Sequence, residues 1–353
     1  MKNLIVYLTN LFKLPSGSAD AGQFGDTTEA YNKGQFEDAT KAYNKGNFWQ
    51  AFKLLQPLAA QGYAVAQNNL GIMYQQGQGV TQDDRQAADW YRKAALQGYA
   101  DAQVNLGNMY QQGQGVTQDD RQAVDWYRKA AAQGDVVAQY NLGNVYQQSQ
   151  GVAQDDRQAV DWYRKAAVQG YADAQYNLGY IYAQGQGVTQ DYSQAVDWYR
   201  KAAAQGLADA QNNLGIMYQQ GLGVTQNDKQ AADWYYLAAA QGHANAQYSL
   251  GVIYDTGEGI TQDYQEAMKW YSLAAAQGLA AAQSNLGVMY DNGEGVTRDY
   301  VRAYMWFDLA TSQGREDAKK NRAVVAQKMN PAQIAEAQKL ARECEKRNYK
   351  NCD

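Results

Sequence analysis

Residues 64–98 read AVAQNNLGIMYQQGQGVTQDDRQAADWYRKAALQG, and near-copies of this stretch follow one another to residue 313 without insertion or deletion. Two kinds of residue mark the register, because each recurs every 36 positions. The first is the glycine of a Leu-Gly pair, at Gly71, Gly107, Gly143, Gly179, Gly215, Gly251 and Gly287. The second is a tryptophan, at Trp90, Trp126, Trp162, Trp198, Trp234, Trp270 and Trp306. A fixed period in this range is typical of stacked supersecondary units, none of which buries its apolar face alone.

Each repeat contains two segments with the periodicity of an amphipathic α-helix. In the first repeat the apolar stripe of helix A, residues 64–76, consists of Ala66, Leu70, Met73 and Tyr74. The stripe of helix B consists of Ala87, Trp90, Tyr91 and Ala94. Glycines in the intervening loop permit the positive φ angles that end a helix, and Asp83 is placed to cap helix B. The pattern predicts an all-α solenoid of seven helix–turn–helix repeats.

Two residues of the repeat carry local expectations. Gly71 lies next to the apolar stripe of helix A, where the missing side chain lets a neighbouring helix approach closely. Ser149 replaces the first loop glycine in the third repeat, so a different local turn is expected there.

The two ends of the chain differ from the repeats, as capping units should. We assign the repeats to residues 62–97, 98–133, 134–169, 170–205, 206–241, 242–277 and 278–313. Residues 22–61 are interpreted as a degenerate tetratricopeptide-like N-terminal cap, and residues 314–353 as C-terminal capping helices. The last helix is expected to open with Asn330 as N-cap, Pro331 at the first position and Gln333 at the third.

Composition and charge argue against several classes of partner. The net charge of −5 is small and well mixed, and there is no basic stripe of the kind that binds nucleic acid. No apolar run is long enough to span a membrane. Residues 1–21 have features of a signal or targeting segment, with Lys2 before a short apolar run and a small-residue cleavage site, although Asn10 and Lys13 interrupt the run.

No constellation of catalytic residues is present in the sequence. The single histidine, His243, occupies the turn between two repeats, where it is interpreted as a surface residue and not as a base. The loops at 255–259 and 291–295 lack the alternating ligands of a calcium site. The sequence therefore predicts no catalytic residue, no metal and no cofactor, and a protein that is not an enzyme.

The repeat resembles the Sel-one-like repeat family, which is related to the tetratricopeptide repeats. The shared motif is Ala-x-x-x-Leu-Gly-x-x-Tyr, then Gly-x-Gly-Val, then Ala-x-x-Trp-Tyr-x-x-Ala-Ala-x-x-Gly. The resemblance implies a right-handed superhelix with the A helices on its concave side, and a role in assembling proteins. Some relatives with paired cysteines in every repeat are credited with β-lactam binding, but this chain lacks those cysteines. An immunity protein that neutralises a toxin is a further alternative.

Comparing the repeats with one another gives a candidate binding surface. The A-helix positions that vary, together with an asparagine ladder between them, would line the concave groove. The predicted partner-binding residues are Tyr140, Tyr176, Tyr180, Asn141, Asn144, Asn177, Asn105, Asn108 and Tyr248. Tyrosine offers rigid amphipathic contact area, and asparagine donates and accepts hydrogen bonds at once. The alternative for the ladder is that each asparagine bonds to the neighbouring repeat.

The B helices carry a second pattern, with aspartate and lysine four residues apart in the first four repeats. We interpret pairs such as Asp161 and Lys165 as exposed ion pairs. In the last three repeats the lysine becomes Leu237, Leu273 and Leu309, which the amphipathic C-terminal helix is expected to cover.

The only cysteines, Cys344 and Cys352, lie in the last ten residues. Cys344 is either a buried free thiol or half of a disulfide with Cys352, and the disulfide is favoured. Because disulfides persist in oxidising compartments, a periplasmic or secreted location is expected, with the cytoplasm as the alternative. Taken together, these features predict a monomeric, non-enzymatic scaffold that binds another protein or peptide. The alternative function is a small-molecule binder or hydrolase.

Overall fold

The computed structural model describes residues 26–352, with side chains from residue 32 onward. The described residues fall into two compact units that meet between residues 169 and 170 along the chain. The described part contains eighteen helices and no strand. The predicted targeting segment, residues 1–21, lies outside the described residues.

The helices of the first unit are α1 Asp26–Asn44, α2 Phe48–Ala60, α3 Ala64–Gln76, α4 Asp84–Leu96, α5 Ala100–Gln112, α6 Asp120–Ala132, α7 Val136–Gln148 and α8 Asp156–Val168. Those of the second unit are α9 Ala172–Gln184, α10 Tyr192–Ala204, α11 Ala208–Gln220, α12 Asp228–Ala240, α13 Ala244–Thr256, α14 Tyr264–Ala275, α15 Ala280–Asn292, α16 Tyr300–Ser312, α17 Glu316–Ala326 and α18 Pro331–Lys346. Within each unit, helices that follow one another along the chain pack side by side, except that α17 and α18 both pack on α16. The predicted all-α fold of seven helix–turn–helix repeats with helical caps is confirmed.

Each repeat is closed by a tyrosine of helix B that packs against the glycine of helix A. A Cβ atom on Gly71 would lie 2.6 Å from Cδ1 of Tyr91, which is closer than carbon atoms pack. The same contact recurs in every repeat, with Phe307 in place of tyrosine in the seventh. These rings are among the most deeply buried side chains of the protein, so the glycine sets the distance between the two helices.

A buried glutamine, which the sequence analysis did not single out, joins neighbouring repeats. The side-chain amide of Gln103 donates to the carbonyl oxygen of Ala95 in the preceding repeat, at 3.1 Å. Its own carbonyl oxygen accepts a hydrogen bond from the Gln133 amide at 2.9 Å. The second of these contacts is present in all seven repeats, through the pairs Gln67–Gln97, Gln103–Gln133, Gln139–Gln169, Gln175–Gln205, Gln211–Gln241, Gln247–Gln277 and Gln283–Gln313. The side-chain carbonyl oxygen of each of these buried glutamines thereby has a partner inside the protein.

Ser149 does not alter its turn, contrary to expectation. It ends α7 with φ 60°, in the same left-handed region as the glycine Gly113 with φ 68° at the matching position. Side chains other than glycine disfavour this conformation, but Gly151 in the same loop lies against the backbone of Asp120 in the preceding repeat, which holds the loop in place.

The C-terminal cap consists of α17 and α18, both packed on α16. Asn330 and Gln333 form the expected capping box at the start of α18. Ala337, Ala341 and Cys344 are buried in the same cluster as Leu309. A disulfide joins Cys344 to Cys352.

Candidate interaction surface

The predicted partner-binding residues divide between the two units. Asn105, Asn108, Tyr140, Asn141 and Asn144 belong to the first unit, whereas Tyr176, Asn177, Tyr180 and Tyr248 belong to the second. All lie on A helices, and we call the side of the A helices that carries them the A face.

In the first unit, Tyr140 rests on the core of its own repeat. It is half-buried, with its ring centroid 5.9 Å from that of Tyr163. The Tyr163 hydroxyl donates to Oδ1 of Asn144 at 2.7 Å. Tyr140 is therefore supported by the core tyrosine of its own repeat.

The asparagine ladder of the first unit makes hydrogen bonds between repeats. Asn105 donates to Oδ1 of Asn68 at 3.0 Å, and Asn141 donates to Oδ1 of Asn108 at 3.3 Å. Asn108 also accepts from the Tyr127 hydroxyl at 2.7 Å. The ladder thus holds neighbouring A helices together, which was the alternative interpretation of these residues.

In the second unit, three tyrosines and an asparagine converge. The ring centroid of Tyr176 lies 5.8 Å from that of Tyr199, and the Asn213 amide donates to the Tyr199 hydroxyl at 3.2 Å. Tyr180 is close enough to influence the titration of both hydroxyls, and it is the most exposed member at 41%. Burial raises the pKa of Tyr199 and Tyr176.

The remaining two predicted residues of the second unit also lie on this face. Tyr248 repeats the stacking arrangement, with its ring centroid 5.9 Å from that of Tyr271. The Tyr271 hydroxyl donates to Asp255 at 3.2 Å, and burial raises the pKa of both groups. Asn177 is half-buried on α9 beside Tyr176. The core tyrosines Tyr163, Tyr199 and Tyr271 support this surface but were not among the predicted site residues. The signal that could have identified them is their position opposite the glycine of helix A.

The ion pairs predicted on the B helices have a different partner. Asp161 pairs with Arg164 at 3.1 Å, not with Lys165. The ammonium group of Lys165 instead lies 3.7 Å from the centroid of the Trp162 ring. The same arrangement holds for Lys93 on Trp90, Lys129 on Trp126 and Lys201 on Trp198. The aromatic face attracts the cation while the arginine reaches the carboxylate.

The prediction that the C-terminal helix covers Leu237, Leu273 and Leu309 is correct for one of them. Leu309 is fully buried beneath the C-terminal cap, but Leu237 and Leu273 remain 45% and 44% exposed. The prediction is wrong for these two because the cap packs on α16, the B helix of the last repeat.

His243 bonds to the backbone at the start of a helix and lies beside a carboxylate. Its Nδ1 accepts the amide of Ala246 at 3.2 Å, which caps α13, while Nε2 lies 3.3 Å from Oδ1 of Asp209. Among residues 26–352 no group of three metal-ligating side chains comes together. Within the same part of the chain, no helix has the length and hydrophobicity needed to cross a membrane.

The repeat geometry matches a known family. The family model described as "Sel1 repeat" matches residues 64–99, 100–135, 136–171, 172–207, 208–243, 244–279 and 280–314. The chain belongs to the Sel1 repeat family.

Two solved Sel1-type structures show how far the likeness of this Sel1 repeat protein extends. It is similar to a Sel1 repeat protein from Oxalobacter formigenes, with 38% identity and a TM-score of 0.63 over 68% of this chain and 98% of that one. It is also similar to a protective antigen of uropathogenic Escherichia coli strains, with 30% identity and a TM-score of 0.56 over 92% of this chain and 95% of that one. A comparison with curated proteins gives no match.

Proposed function

We propose that this Sel1 repeat protein is a non-enzymatic scaffold that binds a peptide segment of another protein on its A face. The observation that carries the proposal is the convergence of Tyr176, Tyr180, Tyr199 and Asn213 in the second unit. Sel1 repeat proteins generally act as interaction scaffolds, which is the coarser statement that family membership supports.

The chemistry of this cluster fits a peptide. Tyr180 presents an exposed ring as an anchor, and tyrosine is enriched among the residues that dominate binding energy at interfaces. Asn213 donates to the Tyr199 hydroxyl, and its Oδ1 accepts from the Asn212 amide, so we assign it to holding the tyrosines in place and not to binding the peptide backbone. The predicted groove positions carry no lysine or arginine, so a clamp for a terminal carboxylate is not proposed.

The first unit offers a smaller surface of the same type. Tyr140 stacks on Tyr163, and Asn141 and Asn144 lie on the same helix. Because both asparagines already make internal hydrogen bonds, we propose that Tyr140 supplies most of the contact area there.

The disulfide supports a periplasmic or secreted location. Disulfides are rare in cytosolic proteins, and Cys344 and Cys352 are the only cysteines of the chain. We propose a monomer in that compartment, bound to a single partner protein.

Affinity purification from the native organism tests this function, with stoichiometric partners identified by mass spectrometry. The wild type is compared with Tyr180→Ala and with Val324→Ala, a control that removes another exposed apolar side chain, 52% exposed, from α17. Loss of one anchor of this kind costs about 2 kcal/mol, roughly a thirtyfold loss of affinity. We expect the partner to be depleted by Tyr180→Ala alone. Equal recovery with all three proteins contradicts the assignment of the A face.

A further inference from the structure

The outer side of the B helices becomes apolar in the second unit. The two residues that follow the core aromatic are Arg200 and Lys201 in α10, Tyr236 and Leu237 in α12, Ser272 and Leu273 in α14, and Asp308 and Leu309 in α16. Tyr236 is 52% exposed, and Leu237 and Leu273 are nearly as exposed. We call these three residues the leucine patch.

Tyr236 of the leucine patch contacts the next B helix, α14. The ring centroid of Tyr236 lies 6.0 Å from that of Trp270, which precedes Leu273 by one helical turn. Isolated exposed apolar residues are common on protein surfaces, but neighbouring ones that share a face mark sites of interaction.

The last repeat shows what covers this position within the same molecule. Leu309 is fully buried beneath the cap, in the cluster that contains Ala337 and Ala341 of α18. Arg322 of α17 forms an ion pair with Asp308, the residue beside Leu309. Leu309, which is equivalent to Leu237 and Leu273, is thus covered by amphipathic helices with small apolar side chains and a basic residue at the edge.

The patch begins where the cap ends. Tyr349, just beyond α18, packs against Gly278 in the turn that follows α14. A helix laid on Leu273 and Leu237 would therefore lie beside the cap and extend its interface with α16 onto α14 and α12.

The charge beside the leucine patch favours a basic partner. In α10 the carboxylate of Asp197 pairs with Arg200, but the equivalent arginine is replaced by Tyr236 in α12. Asp233, which matches Asp197, is exposed, and no ion pair to it is found among the side chains described from residue 32 to 352. A basic residue on a partner would complete this pairing.

We propose that the leucine patch docks an amphipathic α-helix of a partner protein. The helix carries a stripe of alanine-sized and larger apolar side chains flanked by lysine or arginine, as α18 does. This surface is separate from the A face, so it gives the scaffold a second binding site.

The probe for the test is a fluorescein-labelled synthetic peptide of residues 330–347 carrying Cys344→Ala. It is chosen because these residues contain α18, which belongs to the cap that buries Leu309. Its binding to the full chain is measured by fluorescence anisotropy. The patch variant is Tyr236→Arg/Leu237→Lys/Leu273→Lys, which restores the residue types of the first four repeats, with Leu273→Lys alone as a milder version. The matched control is Leu96→Lys, a lone leucine that is 71% exposed in the first unit.

We expect saturable binding to the wild type and to Leu96→Lys, and at least about tenfold weaker binding to both patch variants. Circular-dichroism melts establish that the variants are folded. Absence of saturable binding to the wild type, or equal binding to the patch variants, overturns the proposal. Sedimentation velocity tests whether a second copy of the chain occupies the patch instead. If the wild type self-associates and the patch variant does not, the partner-helix proposal is wrong.

Discussion

The ring of Tyr91 occupies the space that a side chain on Gly71 would need, because a Cβ atom there would lie 2.6 Å from two ring carbons. The glycine and the tyrosine belong to the two helices of one repeat, 20 positions apart in the sequence. Their contact brings the helices to their packing distance, and the remaining apolar side chains of the repeat fill the space around it.

Replacing Gly71 by alanine is expected to lower the free energy of unfolding by about 1–3 kcal/mol, because the added methyl group displaces a buried ring. The matched control is Gly34→Ala in α1, where the new Cβ atom would meet nothing within 4 Å. Since alanine favours a helix over glycine, the control should be stabilised by ~0.5–1 kcal/mol. Urea denaturation of both variants measures the difference, and equal midpoints would show that the close contact is unimportant.

Replacing Ser149 by glycine is expected to stabilise the protein by ~1 kcal/mol, because Ser149 holds a left-handed conformation that glycine adopts without strain. The reciprocal change Gly113→Ser, at the matching position with φ 68°, should destabilise it by a similar amount. Thermal melts of the two variants check the prediction. A destabilised Ser149→Gly protein would mean that the hydrogen bond from the serine hydroxyl to the Val152 carbonyl outweighs the backbone strain.

The partner of Lys165 is testable with two double-mutant cycles. The ammonium group lies over the Trp162 ring, so the pair of changes Trp162→Leu and Lys165→Met should show a coupling energy of ~0.5–1 kcal/mol. The pair Asp161→Ala and Lys165→Met should show almost none, because Asp161 binds Arg164. Coupling only in the second cycle would restore the ion pair expected from the sequence.

The buried tyrosines predict a loss of stability at alkaline pH. Burial raises the pKa of Tyr235 to about 12 from its ordinary value of 10, and raises those of Tyr199 and Tyr271 as well. Because the folded state holds these protons more tightly, the stabilisation is complete below about pH 10 and is lost as the pH rises through 12.

The variant Tyr199→Phe/Tyr235→Phe/Tyr271→Phe tests this, since Phe307 shows that phenylalanine fits the same position. Urea midpoints of the wild type and the variant are compared at about pH 9 and about pH 11.5. We expect a smaller fall in the variant, which has no phenol to ionise at these sites. Equal falls in the two proteins would mean that these hydroxyls do not govern the alkaline transition.

The sequence predicted the fold in detail because its information is local and repeated. Helix A of the first repeat was expected at 64–76 and is found at Ala64–Gln76, since apolar spacing and loop glycines define both ends. The position of Gly71 beside a close-packed helix also followed from the sequence. The turn at Ser149 did not, because the strain at one residue is overcome by contacts with neighbouring repeats that a local pattern does not contain.

The candidate surface was harder to predict, because side-chain partners depend on helix packing. The spacing of four residues predicted that Asp161 pairs with Lys165, whereas in the structure Arg164 takes the carboxylate and Trp162 holds the lysine. The exposure of Leu273 depends on how far the cap extends along the B helices, which no periodicity reveals. The hydrogen bond from Asn141 to Asn108 joins two repeats, so it depends on helix packing that the sequence pattern does not contain.

Site-specific photo-crosslinking in the native organism is the most direct test of whether a partner protein binds on the A face. A benzophenone amino acid is placed at Tyr180 on the A face and, in a second protein, at Val324 on α17, both of which are exposed. We expect one discrete cross-linked protein from position 180, and its absence from position 324. The same cross-linked product from both positions, or one from position 324 alone, would contradict the assignment of the A face as the binding surface.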